Sequence, residues 1–189
     1  MIRKILKWTM LLFAAMIVIV FLYGLSQYPK ARGENHYISE RVVQASKQKV
    51  WNVISDVGNY HKVTAGGIDD VQIISGSGLG MKRVCSAPNG DSWEETCTVW
   101  EPGNRFEFVV NTEREDYPLP FKKLSAVWKV DSISPDKSKI ILDMTYEFEN
   151  PFLAGYFLSI GKKQGDEDAK FLMDNWQRIV ESEETTSIN

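Results

Sequence analysis

The chain has 189 residues, 43% of them hydrophobic and 12% aromatic, with two cysteines; this is enough apolar material for one packed domain without disulfide or metal staples. Its formal charge of −3 conceals a split: residues 1–32 carry five Lys/Arg and no Asp/Glu, while the rest carries 17 Lys/Arg against 25 Asp/Glu, a net of −8. An acidic body excludes a nucleic-acid partner, which needs a basic face to neutralise phosphates, and it opposes broad adhesion to anionic lipid heads.

Residues 1–7 are a short basic tail holding Arg3, Lys4 and Lys7. Trp8–Leu25 (WTMLLFAAMIVIVFLYGL) follows, with no charge in 18 positions. As a helix it is about 27 Å long, close to the hydrocarbon thickness of a bilayer, and its backbone satisfies its own hydrogen bonds. The run exceeds the apolar core of about 7–15 residues usual in a secretory leader, and GLSQYPKARG after it is a poor cleavage site. It reads as a single transmembrane helix. The basic N-terminal tail then stays in the cytoplasm, which puts the rest of the chain on the outer side of a cytoplasmic (inner) membrane. Residues 26–35 (SQYPKARGEN) are polar with Pro and Gly, the composition of a linker.

The domain spans 36–184, and 185–189 is a polar tail. His36–Ala45 alternates and is β-branched, as a strand should be. Ser46 is placed to cap a helix whose stripe is Val50, Trp51, Val53, Ile54 and Val57. Six strands are expected next: Val71–Ser75, Met81–Ala87, Trp93–Trp100, Arg105–Asn111, Ser125–Ser132 and Lys139–Glu149. Gly, Pro, Asn and Asp clusters separate them. Short connections make consecutive strands antiparallel neighbours. After Pro151 comes an apolar segment, FLAGYFLSI, that can cover a cavity mouth as a lid, dip into a lipid interface with Lys162 and Lys163 at the headgroups, or pack on the sheet. A helix over Asp166–Glu183 closes the chain, with Ala169, Leu172, Met173, Trp176, Ile179 and Val180 on one face. The fold class is α+β: a curved seven-stranded antiparallel sheet wrapped around the C-terminal helix.

Alternation assigns the inner face of the sheet. Ile140, Leu142, Met144, Tyr146 and Phe148 form one set; Phe106, Phe108 and Val110 another; Ala126, Trp128 and Val130 a third. Folding about Pro102-Gly103 places Val99 opposite Phe106, Cys97 opposite Phe108 and Glu95 opposite Val110, with Trp93 on the same face. Glu95 is then a carboxylate among apolar neighbours and needs a partner. A three-residue Pro88-Asn89-Gly90 loop puts Arg83 across from it, whereas a two-residue Asn89-Gly90 turn puts Val84 there. Hairpin pairing sets Cys85 and Cys97 out of register for a disulfide.

The stretch ASKQKVWNVISDVGNYHKV, with Val50, Trp51, Ile54, Ser55 and Asp56, resembles the opening of START-like proteins, the polyketide cyclase/dehydrase and lipid-transport group. The Ser77–Gly80 turn into MKRVC, the acidic hairpin strand SWEETCTVW, the run EPGNRF, the strand IILDMTYEFEN and a final helix with Leu172 and Trp176 extend the likeness over residues 36–184. The resemblance implies a helix-grip fold with a cavity between sheet and helix, used in that group for lipids, sterols, quinones or polyketides. The implied lining is Arg83, Trp93, Glu95, Cys97, Phe106, Phe108, Trp128, Met144 and Tyr146 from the sheet, with Leu172 and Trp176 from the helix.

Other chemistry is sparse. Gly76–Gly80 (GSGLG) precedes a strand and lacks dinucleotide spacing, so it is a turn. No nucleophile elbow is present. His36 and His61 have no metal-ligand spacing. No metal or cofactor is expected. Three readings stay open: a membrane-tethered binder of a hydrophobic small molecule; a cyclase- or dehydratase-type enzyme using at least two of Glu95, Tyr146 and His61; and an interaction module of a membrane complex, marked by an exposed apolar patch at Phe121 or Tyr156–Leu158.

Overall fold

The computed structural model describes residues 2–182; the polar tail and the last residues of the expected domain lie outside them. Helix α1 runs over Ile2–Ala31, and its Leu6–Ala31 part is long and apolar enough to cross a membrane. The polar stretch expected to be a linker is therefore helical as far as Ala31. Pro29 is tolerated because its missing N–H falls on an exposed turn. Arg32 N–H donates to the Tyr28 carbonyl at 3.0 Å, and Gly33 turns the chain out at φ +78°. The Asn35 side-chain amide donates to the Ala31 and Gly33 carbonyls at 3.4 and 2.9 Å. Polarity alone misses this helix because tertiary packing sustains it: Gly24 and Ala31 are buried, and Gln27 packs on Gly155.

Strand β1 is Glu34–Val43. Helix α2, Lys47–Ile54, is capped by Ser46, whose Oγ accepts from Lys49 N–H at 3.4 Å. It buries Val50, Trp51 and Ile54. The expected continuation toward Tyr60 is a 3₁₀ helix, Val57–Lys62, after a break at Ser55–Asp56. Strands β2 (Asp70–Ser75), β3 (Lys82–Ser86), β4 (Ser92–Glu101), β5 (Arg105–Val110), β6 (Phe121–Ser134) and β7 (Lys137–Phe148) follow. They form one antiparallel sheet in the order β1-β7-β6-β5-β4-β3-β2. Each hairpin strand lies beside its predecessor, and β1 closes on β7, as the short turns require.

The β3–β4 hairpin uses the three-residue loop: Ala87 N–H donates to Asp91 O at 2.8 Å, and Arg83 pairs with Glu95. In β4–β5, Cys97 faces Phe108 and Glu95 faces Val110 as the alternation demands, but Val99 does not face Phe106. A bulge at Thr98 shifts the register, so that Val99 opposes Glu107 and Trp100 opposes Phe106. One extra residue reverses the alternation beyond it, which brings Trp100 to the inner face. Cys85 and Cys97 are buried and free.

The segment after Pro151 is not a separate piece. It is the start of α3, Pro151–Ser182. Asn150 Oδ1 accepts from Phe152 N–H at 3.1 Å, and Pro151 occupies the first helical position, where its absent N–H costs nothing. The main core lies between the C-terminal half of α3 and the sheet. Leu172, Met173, Trp176 and Val180 meet Phe106, Phe108, Trp128, Val130, Ile140 and Leu142 there, with α2 closing one end.

Candidate functional site

The inner face is best followed across the strands. Neighbouring strands lie about 4.8 Å apart. One row runs Arg83, Glu95, Val110, Leu124, Tyr146, one residue per strand from β3 to β7. It spans four strand spacings, about 19 Å. The next row, toward the main core, is Cys97, Phe108, Ala126, Met144.

The polar end of the first row is closed. Arg83 is 1% and Glu95 7% exposed. Arg83 Nε donates to Glu95 Oε2 at 2.8 Å, and its Nη2 lies 2.6 Å from the same oxygen. Arg83 Nη1 donates to the Val57 carbonyl at 3.1 Å, which ties the sheet to the 3₁₀ helix. Glu95 Oε1 accepts from Trp93 Nε1 at 2.8 Å. The guanidinium carbon lies 3.9 Å from the Phe108 ring centroid and 5.3 Å from that of Tyr60. Burial is the largest single influence on Arg83 and lowers its pKa, but the Glu95 charge and hydrogen bond, with the Cys85 and Tyr60 groups, together outweigh it, and the net direction is upward. Burial first, and the Glu95 charge second, push the Cys85 thiol up. Burial likewise raises the Tyr60, Tyr117 and Tyr146 phenols.

The other end of the row is half-open. Leu124, Ala126, Met144 and Tyr146 are only half-buried although they lie on the inner face. Over this part of the sheet α3 carries six consecutive exposed residues, Lys162–Glu167. Gly165 O passes 3.5 Å from the hydroxyl of Tyr37, the residue opposite Met144 on β1. Helix and sheet are thus closely packed on both sides of this strip, and along it the four residues pack on the neighbouring clusters while keeping partial exposure. At its far end Tyr146 joins Phe121 and Phe148, with ring centroids 5.1–5.7 Å apart, in a cluster shared with Ala31, Ala154 and Leu158.

The eleven sequence-predicted residues therefore fall into three groups. Cys97, Phe106, Phe108, Trp128, Leu172 and Trp176 belong to the packed main core, where Phe106 stacks on Trp128 at 5.1 Å. Arg83, Trp93 and Glu95 form the closed polar end. Met144 and Tyr146 edge the half-open strip. Sequence reasoning missed Trp100, behind the bulge; Tyr60, in the 3₁₀ helix; and Tyr117, in the Pro-flanked β5–β6 loop. Among the described residues two buried polar atoms near Arg83 have no hydrogen-bond partner, the Trp128 indole N–H and the Tyr117 hydroxyl. Trp128 lies 5.9 Å from the Arg83 guanidinium carbon, and the Glu95 charge acts on the Tyr117 phenol.

The groups expected to do acid–base work do not converge. Both Glu95 oxygens are engaged by Arg83 and Trp93, Tyr146 sits in the aromatic cluster beside α1, and His61 lies in the 3₁₀ helix with its buried Nδ1 unpartnered. Among the described residues no hydrogen bond joins any two of the three. The apolar patch looked for at Phe121 and Leu158 is half-buried in that same cluster, and Tyr156 falls outside the described side chains. An open groove of about 980 Å³ on the outer side, lined by Lys82, Glu94, Thr96, Thr98 and the 111–125 segment, shares Val110, Tyr117 and Leu124 with the inner strip. Its lining mixes charged and apolar side chains, with Leu119 and Phe121 beside Lys122 and Lys123.

No curated protein matches the chain. Solved structures do. A protein from Thermus thermophilus superposes with a TM-score of 0.63 at 16% identity, covering 81% of this chain and 100% of its own. The Zhui aromatase/cyclase from a Streptomyces species gives 0.62 at 15%, covering 78% and 96%. Norcoclaurine synthase from Thalictrum flavum gives 0.60 at 16%, covering 80% and 97%. At these identities the likeness is one of fold. The family model described as polyketide cyclase / dehydrase and lipid transport matches residues 36–181, the sheet apart from the first two residues of β1 and nearly all of α3, and the chain belongs to that family.

Proposed function

We propose that this protein is a membrane-tethered binder of a hydrophobic small molecule, with α1 as the tether and the half-open strip as the seat. The observation that carries this reading is the strip itself: four inner-face residues, Leu124, Ala126, Met144 and Tyr146, left half-buried near an exposed helix segment, Lys162–Glu167. An apolar ligand laid there gains from surface that the protein leaves uncovered, at about 25 cal/mol per Å². The unpartnered Trp128 N–H and Tyr117 hydroxyl support a ligand with one polar end, since buried donors without partners are rare in a finished interior. Glu95, with both oxygens already engaged, speaks against general-base catalysis at this place.

Native mass spectrometry of the full chain released from mild detergent, followed by organic extraction, tests the reading. The expected result is a single apolar species bound one to one and lost on extraction. A spectrum holding only the bare chain, with no species enriched over an unrelated single-pass protein, sinks it.

A further inference from the structure

Helix α1 does not merely precede the domain. It packs on the first turns of α3. The Phe21 and Phe152 ring centroids are 5.6 Å apart, so α3 begins at the level of a residue well inside the apolar run of α1. Gly155 sits against Gln27 so closely that a Cβ there would lie 2.3 Å from Gln27 Cβ. Ala31 and Ala154, 0% and 1% exposed, share one cluster with Phe148. Small residues, Gly155, Ala31 and Ala154, let two helix backbones approach closely beyond the Phe21–Phe152 contact, as membrane helix pairs do. No flexible segment intervenes, because β1 begins at Glu34, three residues after the helix ends. Lys30 and Arg32 at the end of α1, and Lys162 and Lys163 along α3, follow the contact toward the domain. Long basic side chains at that position can reach headgroups while their stems lie along apolar surface.

We infer that the first two turns of α3, Pro151–Leu158, lie in the bilayer interface beside α1, which docks the domain rigidly and turns the Tyr146 end of the strip toward lipid. The inference rests on the tether reading of α1. The partner is the bilayer itself, entered by continuity with the apolar run of α1. The net negative charge of the domain does not oppose it, since the contact is apolar and the nearest charges of the two helices are basic. A membrane-derived ligand then reaches the strip past Tyr146, Phe121 and Phe148 without crossing water.

Single cysteines at Leu11, Phe152 and Gln164, carrying an environment-sensitive fluorophore, test this in the full chain reconstituted into phosphatidylethanolamine–phosphatidylglycerol vesicles. Cys85 and Cys97 are buried and stay in place. The expected pattern is quenching at 11 and 152 by nitroxide lipids and at 164 by aqueous iodide. Lipid quenching at 11 with iodide quenching at 152 overturns the inference and leaves the tether. Iodide quenching at 11 overturns the tether and the inference together. Gly155→Leu supplies a second arm, because its side chain has to displace Gln27. The variant should lose lipid quenching at 152 and keep it at 11. Unchanged quenching at 152 overturns the pairing as the cause.

Discussion

The two halves of α3 meet the sheet in different ways. From Ala169 to Val180 the helix presents buried residues at helical spacing, and they interlock with aromatic and aliphatic side chains from three strands. From Pro151 to Glu167 it is held at its start by α1 and Phe148, and its described residues Lys162–Glu167 are exposed near half-buried sheet residues. One helix thus serves as core and as roof. The difference separates residues that hold the fold from residues free to hold something else. Natural interiors are close-packed, and the proposed seat is where this one is least buried.

The largest loss is expected in the core half, at Trp176, 1% exposed. Trp176→Ala should lower the unfolding free energy by about 3–5 kcal/mol, the usual cost of deleting a buried aromatic. Tyr146→Ala, in the half-open half, should cost much less, about 1 kcal/mol. Urea unfolding of the two variants side by side reads the contrast. Equal losses would mean that the strip is structural core.

Glu95→Ala should cost nearly as much as the Trp176 change, about 3 kcal/mol, because it strands the Arg83 charge in the interior. Replacing both partners, with Arg83→Met and Glu95→Leu, should recover most of the loss if the pair only closes the end of the row. Recovered stability with loss of the bound apolar species would instead make the pair part of the seat. Thermal melts and native mass spectra of both variants distinguish these outcomes.

Much of this was legible in the alternation of single strands. Period-two patterning in β5, β6 and β7 gave the inner face, and a carboxylate stranded at Glu95 pointed to Arg83 once the loop length was allowed to be three. What stayed hidden had no local signal. The bulge at Thr98 adds one residue and leaves the hydrophobic pattern readable in either register, so Val99 took the place that belongs to Trp100. The helical Ser26–Ala31 depends on Gly155, more than a hundred residues away. The roof-like passage of α3 is a matter of what faces Lys162–Glu167 in space, and composition does not record it. The candidate lining was accordingly read as one set, whereas the fold divides it into core, ion pair and strip.

Alkaline pH probes the closed end at smaller amplitude. Burial raises the Cys85 thiol above its ordinary value of 9.0 and the Tyr60 phenol above its ordinary value of 10.0. Below pH 9 both folded and unfolded chains keep these protons, and stability is unaffected. Above it the unfolded chain releases protons that the folded chain retains, so stability falls by about 1.4 kcal/mol per pH unit for each group in that window. Denaturation midpoints followed from pH 8 to 11 should show the decline, and Cys85→Ala should flatten its first part.

The smallest effect on stability is expected where the largest effect on ligand is. Leu124 lies midway along the row, between Val110 and Tyr146, and is half-buried, packed on one side against the Trp93 and Val110 cluster. Leu124→Trp adds a ring on its partly exposed side. Overpacking a closed core costs about 1–3 kcal/mol, whereas at a half-exposed position the change should stay within about 0.5 kcal/mol. The added ring occupies the volume in which an apolar ligand would lie. The variant should therefore unfold like the parent in urea and yield no co-purifying apolar species. A variant that is destabilised by several kcal/mol would show the strip to be packed after all, and a variant that keeps its ligand would move the seat elsewhere. Either result would erase the distinction between the two halves of α3, because that distinction rests on a partial exposure of Leu124 that Trp176 and its neighbours do not share.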